Sequence, residues 1–272
     1  MDLGLTGQTA VVAGGSRGIG KAIALELARE GVEVVIAARS IAPLEASAEE
    51  ITQETGSKCV PLVFDATDRA SVDGLIERAA TDLGSLNILV NSASLPSGSP
   101  SAIGPIDTID EEAFLDDFNV KYMGALRLSR AAIPHMKRAG YGRIITISGG
   151  NARTPGNLSG GARNASLVHL SRTLALQFGR DGITANCIHP GITRTERTPA
   201  LLAERSKKAG TTPEDIERED YAAGAPRANA IGRMVDAREI GWLAVFLASD
   251  MAEAITGELI SPNGGAGNAV YY

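Results

Sequence analysis

The chain of 272 residues is 44% hydrophobic and carries a formal net charge of -6, enough for one sizeable core in a single domain spanning 1–272. The acidic balance offers no footprint for nucleic acid, and no apolar run approaches the roughly 20 residues that span a bilayer. The N-terminal MDLGLTGQTAVVAGG lacks the basic region of a signal peptide, and the isolated Cys59 and Cys187 read as buried thiols of a cytoplasmic protein.

The first apolar run, Thr9–Ala13, reads as a strand, and Gly18–Glu30 as a helix with Ile19, Ala22, Ile23 and Leu27 at helical spacing and Gly31 just past its end. Val32–Ala38 is a second strand, apolar almost throughout, as a strand covered on both faces should be. Then follow a polar helix (Pro43–Thr55), a strand (Lys58–Phe64), a helix (Ser71–Leu83) and a strand (Leu86–Asn91). A long helix over about Glu111–Arg138 precedes strand Arg143–Ser148, and helix Ala162–Gly179 precedes strand Thr184–His189. Helix Ala237–Leu247 and strand Glu258–Ser261 close the pattern. Repeated β-α units predict an α/β fold, a doubly wound parallel sheet in three layers with helices on both faces. Residues 193–231 break the rhythm with a polar, charged stretch holding two short helix-like segments. Lying past the carboxyl end of the sixth strand, it is expected to be a substrate lid.

AVVAGGSRGIGKAIA joins the first strand to the first helix, with glycines at 14, 18 and 20. Gly14 permits a tight turn, Gly18 lets the backbone approach a pyrophosphate, and Gly20 lets the helix pack closely. With Ser16, Arg17 and Ile19 they form a phosphate cradle at a helix N-terminus. A carboxylate closing the second strand would hold a ribose 2′-hydroxyl. Here IAARS places Ala38 in that position, followed by Arg39 and Ser40. Arg17 and Arg39, with no carboxylate opposing them, favour NADP(H) over NAD(H). Asp65 and Ala66 end the third strand near the adenine, and Asn91, Ser92 and Ala93 end the fourth beside the cofactor.

GGSRGIG, NSAS (91–94), the asparagine of DFNVKYMGALRLSRA, RIITISG, HPGITRT (189–195) and the section 232–265 follow in an order that resembles the short-chain dehydrogenase/reductase superfamily over nearly the whole chain. The resemblance implies a Rossmann fold with strand order 3-2-1-4-5-6-7. It implies Asn119 and Ser148 as catalytic residues, Pro190 and Gly191 beside the nicotinamide, and a small-molecule carbonyl or alcohol substrate. It also implies a homo-oligomer, a tetramer or dimer, built on the helices after strands four and five.

One part of the pattern is missing. The family pairs a tyrosine, which exchanges a proton with substrate, with a lysine four residues later that holds the nicotinamide ribose. In GNLSGGARNASL (156–167) those positions hold Gly160 and Asn164. Tyrosines 122, 141, 221, 271 and 272 lack a lysine four residues on, and no lysine lies between Lys137 and Lys207. Asn164 retains a hydrogen bond for the ribose but no charge. The amides of SGGARN suit an oxyanion. Lys121 reads as a surface or interface cation, Arg163 as a helix-start surface charge, Tyr122 as helix–helix interface packing, and His169 as a packed core or interface histidine. His189 reads as a backbone-positioning residue, with proton transfer the sharper alternative. The expectation is an NADP(H)-binding oxidoreductase with a degenerate active site. A lyase or isomerase, or a silent nucleotide sensor, stands as the alternative on the same scaffold.

Overall fold

The computed structural model describes residues 2–95 and 98–267. In chain order the principal elements are β1 (Thr9–Ala13), α1 (Gly18–Arg29), β2 (Glu33–Ala38), α2 (Ile41–Thr55), β3 (Cys59–Val63), α3 (Arg69–Leu83) and β4 (Ile88–Asn91). Next come α4 (Glu111–Phe118), α5 (Gly124–Ala139), β5 (Gly142–Ile147), α6 (Leu158–Phe178), β6 (Ile183–Ile188) and β7 (Thr193–Arg194). The last are α7 (Thr198–Ala209), α8 (Pro213–Asp220), β8 (Val235–Asp236), α9 (Ala237–Ala248) and β9 (Leu259–Ile260).

Seven parallel strands form one sheet in the order β3-β2-β1-β4-β5-β6-β9, as the resemblance implied. Val11 pairs with both Val35 and Leu89, so β1 is central. Alternate residues feed two cores. Ala10, Val12, Val34 and Ile36 pack with Ile23 and Leu27 of α1, Leu44 of α2 and Ile240 of α9. Val11, Ala13, Val35 and Ala37 pack on the opposite face with Val72 of α3, Leu128 of α5 and Leu167 of α6. This period-2 partition explains the unbroken apolar runs, because neither face meets water. The order reverses between β1 and β4, which opens a crevice at the carboxyl edge where such sheets bind ligands.

Helix ends follow local capping chemistry. Asp68 accepts from the amides of Ala70 and Ser71 to start α3, two residues earlier than the periodicity predicts. Asp236 and Glu239 form a reciprocal capping box at α9. Gly31, φ +80°, follows the Glu30 cap of α1.

Two departures from the sequence expectations, and the packing of the polar excursion, bear on the site. The long helix of 111–138 is interrupted by a π-turn, Asn119–Met123, between α4 and α5. Helix α6 starts at Leu158, four residues before the expected start, because the Asn157 side chain caps Gly160 N at 2.7 Å. The polar excursion is folded: α7 and α8 bury Leu202, Ile216 and Tyr221, and Arg205 and Arg227 both pair with Asp220. Its ends are tied by the two-residue pairing of β7 with β8.

Candidate nucleotide cleft and active site

The cleft at the carboxyl edge holds about 480 Å³. Its walls include Gly14, Ser16, Arg17, Gly18, Ile19 and Gly20 from the first turn, and Arg39, Ser40, Asp65 and Ala66 from the ends of β2 and β3. Ser92, Ala93, Ser148, Pro190 and Gly191 are the other expected residues on the wall, and Lys121, Thr193 and Thr195 join them.

The turn is built by steric necessity. Gly14 has φ +87°, and a Cβ there would lie 2.6 Å from Ser92 O. A Cβ on Gly20 would meet Gly14 O at 2.2 Å, so α1 reaches the sheet only without a side chain. Gly18 faces open space, with only a Thr195 methyl at 3.9 Å. Its amide, the first of α1, donates to the Glu196 carboxylate at 3.0 Å. An anion therefore already sits on this helix N-terminus, the geometry a phosphate requires. Ser47 of α2 donates to Ser16 O at 2.9 Å and steadies the loop.

Arg17 and Arg39 are exposed on the cleft wall, and Ala38, which ends β2, lines it with them. The Asp65 carboxylate accepts from the backbone and hydroxyl of Thr67, both at 2.8 Å. Those bonds, with Arg39 and Arg127 nearby, hold its carboxyl below the usual range. It stays charged beside the two arginines but spends one oxygen on its own turn.

Three expected cofactor or catalytic residues stand elsewhere. Asn91 is buried beneath the cleft, its Nδ2 donating to Ser129 Oγ at 3.2 Å and Thr146 Oγ1 at 3.4 Å. Asn119 accepts from Arg127 Nη2 at 2.9 Å, and Arg127 also donates to Ala66 O at 3.0 Å, so Asn119 fastens α5 to the end of β3 and is absent from the cleft wall. Asn164 is 4% exposed, and its carboxamide oxygen is held from behind the wall by Lys121.

Lys121 is one of two charged residues that the sequence reading misplaced. It is no surface cation. The π-turn carries it inward, where Nζ donates to Asn164 Oδ1 at 2.7 Å and to Ser148 O at 3.0 Å. Residues i and i+2 project to different sides of a helix, so a turn that sends Asn119 toward Arg127 sends Lys121 toward the cleft. Burial, and next the charge of Arg163, push its ammonium down to about 7. Ser148 donates through Oγ to Asn164 O at 3.1 Å and is 3% exposed.

Nor is Arg163 a surface charge. At 5% exposure it pairs with the fully buried Asp117 at 3.3 Å. Asp117 also accepts from Ser99 N and Oγ at 3.0 Å and from Ser159 Oγ at 2.6 Å. This cluster clamps the segment at Ser99 onto α4 and α6. Tyr122 stacks against Phe118 with centroids 4.8 Å apart and, with His169, lines a groove between α5 and α6. His189 donates its amide to Ile260 O at 2.8 Å, and burial pushes its ring down to about 4, so it is neutral at physiological pH. The thiols of Cys59 and Cys187 are pushed up by burial to about 12 and about 11, which makes both inert. Tyr271 and Tyr272 lie outside the described residues.

At Gly160, where the sequence reading places the missing tyrosine, the side chains of Asn151 and Asn157 fill the space. A Cβ on Gly160 would stand 2.5 Å from Asn151 Nδ2 and 2.9 Å from Asn157 Cγ. The amides expected to receive an oxyanion are also taken: Gly160 N by the Asn157 side chain and Gly161 N by Asn157 O, each at 2.7 Å.

A Gly-rich turn at a helix start, a crevice at the sheet's reversal point and paired arginines on its wall define a dinucleotide-binding α/β protein. Within that class the sequence matches, over residues 12–267, the family described as Enoyl-(Acyl carrier protein) reductase. The chain belongs to the short-chain dehydrogenase/reductase superfamily. It is 32% identical over 262 residues to NADPH-dependent reductase BacG of Bacillus subtilis, covering 95% of this chain and 97% of that one. It is 33% identical over 261 residues to 3-oxoacyl-[acyl-carrier-protein] reductase FabG of Escherichia coli, with the same coverage, 95% and 97%. Among solved structures it resembles L-sorbose reductase of Gluconobacter frateurii, complexed with NADPH and L-sorbose. The TM-score is 0.88 and the identity 29%, over 97% of this chain and 98% of that one.

Proposed function

We propose that the protein is an NADP(H)-preferring oxidoreductase that interconverts a carbonyl and an alcohol in a small-molecule substrate. The observation that carries this reading is the cradle itself: an anion-accepting Gly18 amide, with Arg17 and Arg39 on the wall and no carboxylate closing β2. The Gly14–Gly20 turn would hold the pyrophosphate, and the two guanidinium groups a 2′-phosphate. Pro190 and Gly191 would back the nicotinamide. That group supplies hydride when bound; the chain's own residues position it, exclude water and move the proton. The relatives BacG and sorbose reductase, whose names cite NADPH, support the cofactor assignment.

The excursion carrying α7 and α8 is the substrate lid in this reading. Thr195, Arg197 and Leu201 from it reach the cleft, and Leu201 and Ile192 are exposed apolar side chains of the kind a bound substrate would cover. The protein works in the cytoplasm, where its two free thiols stay reduced, and as a homo-oligomer through the α5–α6 groove.

Calorimetry with NADPH, NADP⁺ and NADH tests the cofactor assignment: tightest binding of the phosphorylated forms is expected, and no binding to any of them overturns it. A panel of ketones and aldehydes followed at the NADPH absorbance then tests the redox assignment. The filled space at Gly160 favours the second reading, a silent nucleotide sensor. Tight NADPH binding with no turnover across the panel would establish that reading instead.

A further inference from the structure

Lys121 is the one lysine on the described wall of the cleft, where it is bonded to Ser148 and Asn164. Its ammonium has three N–H donors. One goes to Asn164 Oδ1 at 2.7 Å and a second to Ser148 O at 3.0 Å. The third has no acceptor among the described residues, and the side chain lines the cavity. Two fixed bonds orient the group, and the remaining N–H is left for whatever the cleft holds.

We propose that Lys121 is the catalytic acid of this enzyme, delivering from Nζ to the substrate carbonyl oxygen the proton that reduction requires. The assignment rests on the redox reading above. In the step, hydride adds to the carbonyl carbon and the C=O π pair moves to oxygen. One N–H bond of Lys121 breaks as the O–H bond of the alcohol forms. The substrate is reduced, the dihydronicotinamide is oxidised, and the neutral amine takes a proton back from water.

The surroundings suit an acid that must let its proton go. The groups facing Lys121 are Arg163 from α6, Cys187 from β6 and His189 just beyond β6. None is an anion: the Cys187 thiol is pushed up by burial and the His189 ring is pushed down. Asp117 is committed to Arg163, Ser99 and Ser159. No carboxylate among the described residues pairs with Lys121 to pin it in the charged form. The ammonium is held down to about 7, where a general acid works best at neutral pH. It offers the acidity that a free phenol, near pKa 10, reaches only with help.

The test uses the full chain. For the native enzyme, kcat for carbonyl reduction should fall as pH rises through neutrality, because the protonated amine is the active form. Lys121→Met should lower kcat by at least about 100-fold and flatten that limb, and Lys121→Arg should not rescue it, because a guanidinium does not release its proton. Lys121→Ala should regain rate when ethylamine is added. Independently of turnover, the ¹³Cε NMR signal of Lys121, assigned by its loss in Lys121→Arg, should titrate near neutrality and move when NADP⁺ is added. A native enzyme that reduces carbonyls while Lys121→Met keeps its rate and pH profile overturns the assignment. So does a Lys121 signal that titrates near 10 and ignores NADP⁺. A native protein that binds NADPH but reduces nothing fails the redox reading first and removes the assignment with it.

Discussion

In the proposed reading, two arginines decide how the cleft treats a nucleotide. Arg17 and Arg39 are exposed, so each is worth little until a phosphate buries it between them. Charge-assisted hydrogen bonds of this kind contribute about 1.5–3 kcal/mol each. Arg39→Asp should therefore weaken NADPH binding by roughly 10- to 100-fold and leave NADH binding equal or tighter, read by calorimetry. An unchanged NADPH/NADH ratio would remove Arg39 from the site. Asp117 is a residue of a different kind, because its role is to neutralise Arg163 out of water. Asp117→Ala leaves a guanidinium buried without its partner and should cost about 3–5 kcal/mol, seen as a melting temperature lowered by roughly 10 °C. At Gly160 the geometry opposes a simple reversion. Gly160→Tyr with Asn164→Lys forces the new side chain into Asn151 and Asn157 and sets a second ammonium against Lys121. The double variant should lose about 1–3 kcal/mol of stability and gain no NADPH turnover, checked by thermal denaturation and absorbance assay. The glycine turn and both arginines were legible because their chemistry is local. Lys121 was not, because its direction depends on a π-turn that a 3.6-residue period does not show. A clue did exist in the absence of any lysine between Lys137 and Lys207, which meant that a lysine for the site could come only from another element.

Elements move these residues into register. The strands were readable because each feeds both cores, and the apolar runs of β1, β2, β5 and β6 follow directly from that burial. Helix starts were less readable where a side-chain cap decides them, as Asn157 does for α6. The early start matters for function, since it winds Gly160 and Asn164 into a helix and spends the amides that looked free. The excursion was legible as a polar stretch with two short helix-like segments, but its packing was not, because its stability comes from ion pairs such as Arg194–Glu217 and from few apolar residues. Its position over the cradle has a consequence for ligand entry. Glu196 sits on Gly18 N, so in the proposed reading a phosphate oxygen and the excursion would compete for one amide. Glu196→Gln removes a like charge worth about 0.3–1 kcal/mol at such a helix end, and NADPH affinity should rise about 2- to 5-fold. A loss of affinity on titrating NADPH into that variant would mean that Glu196 helps to hold the lid closed over bound nucleotide.

At the scale of the whole molecule, the two sheet faces are covered unequally. On one side α1, α2 and α9 pack tightly, with Glu26 of α1 accepting from Arg238 Nε at 3.0 Å and Trp242 Nε1 at 3.1 Å. On the other, α5 and α6 leave between them a groove of about 460 Å³ lined by Leu126, Pro134, Leu170, Leu174 and Phe178. Leu176 on α6 is 73% exposed, a cost in water that a second copy of the chain would remove. The π-turn that carries Lys121 joins directly to α5, and Asn164 lies on α6, so the helices that would form the oligomer also hold the proposed acid in place. Assembly and catalysis should then be coupled. Thr173→Glu with Leu176→Glu places two carboxylates on the outer face of α6 and spares both cores. By sedimentation velocity the double variant should run as a monomer where the native chain runs as a dimer or tetramer. Its kcat should fall while NADPH affinity, set by the distant cradle at Gly14–Gly20, changes less than about 3-fold. A native chain that sediments as a monomer would remove the groove as an interface, and a monomeric variant with full kcat would show that each subunit holds Lys121 without its neighbour.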